Sequence, residues 1–260
     1  MIKKLILKLA DLFSIFWKII PFKIRKFIFV SLFILESRDN RPQNGLKRIF
    51  YIKDKLEWIL NERAIKYGNG IHPKHRLTNY HQFFIDNVND GDTILDVGCG
   101  NGAVAIDIAL AKPRSEIIGI DINKDNIDFA EKLKYSNKLE NIKFVFGDIT
   151  VQKNIKSDVV ILSNVLEHIS QRTDFLEKII YKTNAKFFLI RVPLFERDWQ
   201  IPLRKELNIY YYSDTDHKIE HSINEFKNEL IKAKLKTIEL FTIWGEIWAI
   251  SEYVKLISEI

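Results

Sequence analysis

A glycine-rich turn stands out in ILDVGCGNGAVAIDIA, residues 94–109, because it joins an apolar stretch to an alanine-rich one. Gly98, Gly100 and Ala103 fit the loop that binds dinucleotides. Gly98, Gly100 and Gly102 also make a G-x-G-x-G turn, which suits a different adenosine cofactor. Glycines let the backbone approach a ligand closely at the N-terminus of a following helix. The turn therefore predicts an adenosine-containing ligand and leaves its class open.

Carboxylates follow the predicted strands at positions where such a ligand would lie. Asp121 comes about 20 residues after the turn, where a carboxylate accepts the two hydroxyls of an adenosine ribose. Asp148, in the segment FGDI, can accept a hydrogen bond from an adenine amino group. The predicted cofactor contacts are Asp96, Gly98, Gly100, Gly102, Asp121, Ile122, Asp148, Ile149 and Asn164.

A second group of polar residues follows the fourth predicted strand, VVILS. The spacing i, i+3 and i+4 predicts that Asn164, Glu167 and His168 share one face of a helix, which could hold a cation. His168 and Glu167 are the candidate catalytic residues, since a neutral imidazole can take a hydroxyl proton at physiological pH. The alternative is that both side chains only shape a cofactor pocket.

Two further segments combine basic and aromatic residues. IHPKHRLTNYHQFF precedes the first predicted strand, and its Lys74 and Arg76 suit a phosphate or carboxylate. RVPLFERDW follows the fifth strand and offers an aromatic ring flanked by planar polar groups, which suits a sugar ring. The alternative for the first segment is a solvated loop, and the alternative for the second is an insertion that only covers the cofactor. The candidate substrate contacts are His72, Lys74, His75, Arg76, Arg191, Arg197 and Trp199.

The elements that position these residues alternate between strand and helix. Apolar strands separated by helices predict a parallel sheet covered on both faces. The segments KTIELFTI and EIWAISEYV, joined through Trp244 and Gly245, predict an antiparallel pair. The predicted strands are 93–97, 116–121, 142–146, 157–163 and 186–192, and the predicted helices are 103–111, 125–134, 174–181 and 223–234.

Residues 1–35 are basic and rich in large apolar side chains, and acidic residues are nearly absent from them. Neither half reaches the roughly 20 apolar residues of a membrane-spanning helix, and the pattern of a signal peptide is missing. The segment predicts either a helix in the membrane interface or a helical extension that packs on protein. Across 260 residues, a net charge of +6 suits an anionic partner, and the single cysteine predicts a reducing, cytoplasmic setting.

The motifs DVGCGNG, GIDIN, FGDI and SNVLEHI, in this order and spacing, resemble the class I S-adenosylmethionine-dependent methyltransferase domain over about residues 90–253. The resemblance implies an α/β, Rossmann-like sheet of seven strands with the last antiparallel. It also implies S-adenosylmethionine as the cofactor, with Asp121 on the ribose and Asp148 on the adenine. A dehydrogenase would leave the GDI and NVLEH motifs unexplained.

The expected domain organisation has three parts, of which the lid and the methyltransferase domain follow from this resemblance and the N-terminal extension from its composition. Residues 1–40 form an N-terminal helical extension, residues 41–90 form a cap or lid over the site, and residues 91–260 form the methyltransferase domain.

Two narrower resemblances concern the acceptor. Glu167, His168 and His217 match metal ligands of O-methyltransferases that modify the terminal ribose of small RNAs, which implies Mg²⁺ or Mn²⁺, although Asn164 replaces the first glutamate of that pattern. The stretch that begins IRVPLFERDW resembles methyltransferases of bacterial polysaccharide assembly.

The leading hypothesis is O-methylation of a sugar hydroxyl in a surface glycan or its lipid-linked precursor, at the inner face of the membrane. Alternatives are terminal-ribose methylation of RNA, methylation of a quinone or phenol, and a membrane-associated scaffold that retains the fold.

Overall fold

The computed structural model describes residues 2–68, 72–153 and 155–255. The chain forms two compact units, Met1–Pro73 and Lys74–Ile260, which we call the N-terminal unit and the sheet unit. The expectation of an N-terminal helical extension followed by an α/β sheet is confirmed.

The N-terminal unit consists of three helices, α1 (Ile2–Trp17), α2 (Phe22–Ser37) and α3 (Pro42–Tyr67). Pro42 lies in the first turn of α3, where the missing N–H of proline costs no hydrogen bond. Arg48 of α3 donates to the carbonyl oxygens of Glu36 and Arg38, which fixes the connection between α2 and α3. Within the described residues, none of the helices is both long enough and apolar enough to cross a bilayer.

The sheet unit begins with two short helices and then alternates strands with helices. Four strands and three helices precede β5, and α9, α10 and a final hairpin follow it. The elements are α4 (Lys74–Thr78), α5 (His81–Asp86), β1 (Thr93–Val97), α6 (Ala103–Ala111), β2 (Glu116–Asp121), α7 (Lys124–Ser136), β3 (Ile142–Phe146), β4 (Val159–Ser163), α8 (Arg172–Thr183), β5 (Phe187–Pro193), α9 (Gln200–Glu206), α10 (Ile223–Lys232), β6 (Leu235–Ile243) and β7 (Glu246–Tyr253).

The seven strands form one sheet in the order β3-β2-β1-β4-β5-β7-β6. Strands β1 to β5 are parallel, and β7 runs antiparallel to both of its neighbours, β5 and β6. The predicted seven-stranded sheet with an antiparallel last strand is therefore confirmed. The strand order reverses between β1 and β4, and ligands of open α/β sheets bind at the carboxyl ends of strands beside such a switch point.

Helices cover both faces of the sheet, so its central strands are buried on both sides. In β1, Leu95 packs in one apolar cluster with Leu162 of β4, whereas Ile94 packs in the opposite cluster with Ile161. Double burial explains why β4 reads as a nearly continuous apolar run, and β1 as an apolar run interrupted by Asp96, rather than as alternating patterns. The sheet therefore holds the ends of β1, β2 and β4 rigidly beside one another.

Candidate active site

The glycine-rich turn connects β1 to α6 and is anchored on β2. The backbone N–H groups of Gly98 and Cys99 both donate to the carbonyl oxygen of Ile120, over 2.8 and 3.1 Å. Gly98 has a φ of +67°, and a Cβ there would lie 2.7 Å from Cγ2 of Val165. A Cβ on Gly100 would meet nothing within 4 Å, so this residue faces open space on the ligand side of the turn.

Two cavities meet at this turn. The first, of about 510 Å³, contains Asp121 and Asp148, and we call it the Asp121 cavity. The second, of about 460 Å³, contains Arg191 and Glu246, and we call it the Arg191 cavity. Both are lined by Gly98, Gly100, Asn164 and His168, so these four residues form a shared wall.

The Asp121 cavity contains the carboxylates predicted to bind an adenosine. The two oxygens of Asp121 accept from the N–H groups of Gly100, at 2.8 Å, and Asn123, at 2.7 Å. Asp148 accepts from the N–H of Thr150 at 2.7 Å through one oxygen. The backbone thus orients both carboxylates, and each retains lone pairs for a ligand.

Apolar side chains complete the Asp121 cavity. Ile122 is 75% exposed and Ile149 is buried, and both line it. Three further side chains that were not predicted also line it, namely Val165, Ile169 and Phe175. Val165 and Ile169 belong to the SNVLEHI motif but have no polar group that would mark them as ligand contacts, and Phe175 lies beyond that motif, in the first turns of α8.

Asp96, at the end of β1, is buried and lines the Arg191 cavity. Its Oδ2 atom has no hydrogen-bond partner among the described residues. Burial raises the pKa of this carboxyl to about 8, and the neighbouring charge of Asp121 adds to the effect. An ammonium group of a ligand would provide the partner that Asp96 lacks.

The backbone after β4 differs from the prediction of a helix that begins at Asn164. Asn164 has a φ of +57°, in the left-handed region, and Leu166–His168 form a single 3-10 turn. Asn164, Glu167 and His168 therefore do not share one helix face, and that prediction is wrong, because α8 begins only at Arg172. The sharp turn instead places Asn164 and His168 on the shared wall.

Glu167 is fully buried in this turn and lines the Arg191 cavity. Neither of its carboxylate oxygens has a hydrogen-bond partner among the described residues. Burial raises the pKa of Glu167 to about 7, against the opposing effects of its own backbone N–H, of the Asn164 side chain and of the nearby His217. A buried carboxylate without partners is costly unless a cation or a donor completes it.

The loop between α9 and α10 supplies His217, which a buried carboxylate orients. Oε1 of Glu220 lies 3.1 Å from Nδ1 of His217 and also accepts from the hydroxyl of Ser213 at 2.9 Å. Arg197 donates to the other oxygen of Glu220. Because these partners hold the pKa of Glu220 below its usual range against the opposing effect of burial, the carboxylate accepts and Nδ1 of His217 donates.

The same loop brings three predicted ligands together. The N–H of Lys218 donates to the carbonyl oxygen of Glu167 at 2.7 Å, and the rings of His168 and His217 meet edge to face with centroids 4.7 Å apart. Nδ1 of His168 lies 3.0 Å from Oδ2 of Asp216. Ligand atoms of Glu167, His168 and His217 all lie within 4.8 Å of one another.

Arg191 is held by neighbours that the sequence did not reveal. Its guanidinium lies 4.2 Å from the ring centroid of Tyr80 and 5.0 Å from that of Trp248, and it donates to Glu246 at 2.6 Å. Tyr80 precedes α5, whereas Trp248 and Glu246 belong to β7. The sequence could show only that Arg191 is a basic residue near the end of β5. The three residues that hold it could not be predicted, because they are distant in the chain.

The remaining predicted substrate contacts are dispersed. Lys74 and Arg197 line the Arg191 cavity, whereas Trp199 is 72% exposed and lines neither cavity. His75 packs against the ring of Tyr80, and Arg76 lies exposed on α4. His72 belongs to the N-terminal unit, where its Nε2 lies 3.1 Å from Oδ1 of Asn61.

Comparison with known proteins identifies the family. A family model described as "Methyltransferase domain" matches residues 88–238, more than half of the chain. Ribosomal protein L11 methyltransferase of Thermotoga maritima is 27% identical over 142 residues, which cover 55% of this chain and 51% of that protein. A release factor glutamine methyltransferase of Fusobacterium nucleatum is 37% identical over 70 residues, 26% of this chain and 20% of that protein. The chain thus spans about half or less of the length of these curated relatives.

Solved structures agree on the fold. An O-methyltransferase family 2 protein of Planctomyces limnophilus, in complex with apigenin, has a TM-score of 0.57 at 22% identity, covering 70% of this chain and 60% of that one. Magnesium protoporphyrin IX methyltransferase of Synechocystis with bound SAH has a TM-score of 0.56 at 15% identity, and the match covers 74% of this chain and 86% of that one. The chain belongs to the methyltransferase-domain family and has the fold of S-adenosylmethionine-dependent class I methyltransferases.

Proposed function

We propose that the protein transfers the methyl group of S-adenosylmethionine to a sugar hydroxyl of a surface glycan or its lipid-linked precursor. The observation that carries the proposal is the shared wall between the two cavities. One cavity has the carboxylates that fit an adenosine, and the other is polar and charged. A group transfer between two ligands requires their reacting atoms to meet, and the shared wall is where they would do so.

The residues fit the cofactor. Asp121 would hold the ribose hydroxyls and Asp148 the adenine amino group, while the open side of Gly100 leaves room for the ligand. Asp96 would pair with the ammonium of the methionine moiety, which supplies the partner that its buried oxygen lacks. When bound, S-adenosylmethionine supplies a methyl group on a positively charged sulfur, which keeps the electron pair of the broken carbon–sulfur bond.

His168 is the proposed general base. It lines both cavities, so a hydroxyl placed in the Arg191 cavity can give its proton to the imidazole while the oxygen faces the Asp121 cavity. Asp216, 3.0 Å from Nδ1, stabilises the imidazolium that proton transfer produces. Glu167, directly beside His168 in the chain, contributes a further carboxyl group within the Arg191 cavity.

The lining of the Arg191 cavity supports a sugar acceptor. Trp244 is 65% exposed and offers an aromatic face, and Tyr80 offers a second ring. Glu246, Ser213 and Lys74 line the same cavity and can donate to or accept from hydroxyls. Rings flanked by polar side chains suit the apolar face and the hydroxyl edge of a pyranose. A quinone or phenol would use the rings but not the surrounding charges.

A second arrangement of the same site is favoured by the unpartnered carboxylate of Glu167. Glu167, His168 and His217 would bind one Mn²⁺ or Mg²⁺ ion, since nitrogen and carboxylate ligands suit such metals. Glu220 orients His217 by accepting from Nδ1, which leaves Nε2 as the metal ligand. The ion would lower the pKa of the acceptor hydroxyl in place of a general base. Asn164 replaces the first glutamate of the related RNA enzymes, so the set has one carboxylate fewer.

Calorimetric titration with S-adenosylhomocysteine, with and without Mn²⁺, tests the cofactor and metal assignments together. We expect binding without metal. A Mn²⁺ effect that disappears in His217→Ala would establish the metal arrangement, whereas no effect would leave His168 as base. If no binding is seen up to about millimolar concentration, the binding free energy is weaker than roughly 4 kcal/mol. That result would refute the methyltransferase assignment in favour of a scaffold.

Labelled methyl transfer tests the acceptor class. Glycans and lipid-linked sugars, an RNA oligonucleotide with a free terminal ribose, and a hydroquinone would be compared as acceptors. We expect label on the sugars alone. Transfer to RNA that weakens steeply with salt would overturn the glycan assignment, because contacts with phosphates release counterions.

A further inference from the structure

The N-terminal unit exposes far more apolar surface than a protein in water normally does. Seventeen large apolar side chains between residues 6 and 35 are exposed, with Ile19 at 76%, Phe27 at 72% and Leu35 at 68%. Helix α2 has no buried residue at all. Contiguous apolar patches beyond a few hundred Å² are rare on monomeric proteins, and larger ones mark a surface that is covered in use.

The distribution of charge indicates what covers it. Residues 1–37 contain seven basic residues and only two acidic ones, Asp11 and Glu36, a formal net charge of +5. Three of the basic residues, Lys23, Arg25 and Lys26, lie in the first turns of α2. The rest of α2 from Phe27 to Leu35 is uncharged on every side. A short helix that is basic at one end and apolar all round at the other fits the boundary between lipid head groups and acyl chains.

The length of the apolar run defines how deep the helix can reach. Its nine residues, 27–35, extend about 14 Å at the rise of an α-helix, which is about half of the roughly 30 Å hydrocarbon core. Among the described residues, none of the helices is able to span a bilayer. The geometry therefore suits insertion into one leaflet.

Helices α2 and α3 also enclose a groove that suits a hydrocarbon chain. It has a volume of about 660 Å³, and all but one of its lining residues are apolar or aromatic. The exception is Lys55, whose ammonium can pair with a lipid phosphate. The groove is lined on the α2 side by Phe29, Leu32 and Phe33 and on the α3 side by Tyr51, Ile52 and Leu56.

We propose that α1 and α2 form an interfacial anchor that inserts into one leaflet of an anionic phospholipid bilayer, with an acyl chain in the groove between α2 and α3. The occupant is a lipid surface rather than a second copy of the chain, because a segment of net charge +5 would repel its own copy and attract anionic head groups. This function is independent of the chemistry of the sheet unit.

The test is flotation of the full chain with phosphatidylcholine vesicles, pure or containing about one third phosphatidylglycerol. We expect binding to the anionic vesicles and little binding to the neutral ones. The substitutions Lys23→Glu, Arg25→Glu and Lys26→Glu together should weaken binding more than about 100-fold, at roughly fivefold or more per charge. A matched triple variant in the sheet unit, Lys178→Glu, Lys227→Glu and Lys232→Glu, has the same charge change and should bind as the natural chain does.

The apolar contribution is tested with Phe27→Asp and Leu35→Asp, because both side chains are exposed and their replacement should leave the packing of α2 unchanged. Their matched controls are Tyr181→Asp and Ile231→Asp, which are equally exposed on α8 and α10. We expect loss of vesicle binding in the first pair only.

Equal binding to neutral and anionic vesicles, or unchanged binding in the α2 variants, would overturn the proposal. A dimer in vesicle-free solution that Phe27→Asp dissociates would overturn it too, because the apolar face would then be covered by a second copy. The affinity for S-adenosylhomocysteine should be the same in every variant, so failure of the anchor and failure of the proposed methyl transfer are distinguishable.

Discussion

The Asp121 cavity and the Arg191 cavity share a wall but are built in different ways. Asp121 is the last residue of β2, Asp148 comes two residues after β3, and backbone N–H groups of nearby residues orient both. The Arg191 cavity depends on contacts between distant segments, such as Arg191 with Glu246 and Arg197 with Glu220. A binding site formed by turns at strand ends is fixed by the sheet, whereas one formed by ion pairs between loops can be altered by single substitutions without loss of the sheet.

The largest expected effect is the loss of turnover when His168, a residue of the shared wall, is replaced. His168→Gln should lower kcat by about 100-fold or more, since general-base catalysis contributes roughly that much. The affinity for S-adenosylhomocysteine should change little, because Asp121 and Asp148 are untouched. Single-turnover kinetics beside calorimetry separate the two quantities. Unchanged turnover would remove the base assignment from His168.

The ion pairs of the Arg191 cavity should matter for stability. Glu220→Ala leaves Arg197 without its buried carboxylate and His217 without its orienting acceptor, which should cost about 3 kcal/mol and lower Tm by about 6–12 °C. Glu177→Ala, on the exposed side of α8, is the matched control and should have no measurable effect on Tm. A Tm for Glu220→Ala equal to that of the control would show that this cavity does not depend on its ion pairs.

Asp121→Ala should have the opposite pattern, with a large loss of affinity and a small change in stability. Loss of both ribose hydrogen bonds to a charged acceptor should weaken binding of S-adenosylhomocysteine about 100-fold. Asp128→Ala, an exposed carboxylate on α7, controls for the change of charge. Retained affinity in Asp121→Ala would contradict the assignment of the Asp121 cavity to the adenosine.

A smaller effect should appear in the pH dependence of cofactor binding. The pKa of Asp96 in the unliganded protein is about 8, so the group is mostly protonated below that pH. Pairing with an ammonium requires the carboxylate and therefore releases a proton, so affinity should rise with pH by up to about tenfold per unit and flatten near pH 8. Asp96→Asn should abolish the slope.

Methylthioadenosine, which has no ammonium, provides the matched ligand control for this slope. Its affinity should be independent of pH over the same range. An equal slope for both ligands would show that Asp96 does not bind the ammonium.

Several features of the sheet unit followed from local sequence. Runs of mostly apolar residues predicted β1, β2 and β3 at the observed residues, since the buried positions of a sheet covered by helices favour apolar side chains. Gly98, Gly100, Asp121 and Asp148 could be grouped because parallel strands end at the same edge of a sheet.

Other features of the site depended on the folded chain. The left-handed Asn164 and the short turn at Leu166–His168 were not predicted, because helical spacing also describes residues that form only one turn. Trp199 looked like a sugar contact in the sequence, yet it lies exposed outside both cavities.

The sequence by itself determined the strands, the glycine-rich turn and the acidic residues of the Asp121 cavity, because each depends on residues close together in the chain or on the common direction of parallel strands. Only the tertiary structure decided that Tyr80, Trp248 and Glu246 surround Arg191, and that Glu220 orients His217 beside Glu167. The physical reason is that a buried charge is costly unless an opposite charge or a hydrogen-bonding group lies beside it, and that partner can come from any part of the chain that the fold brings close.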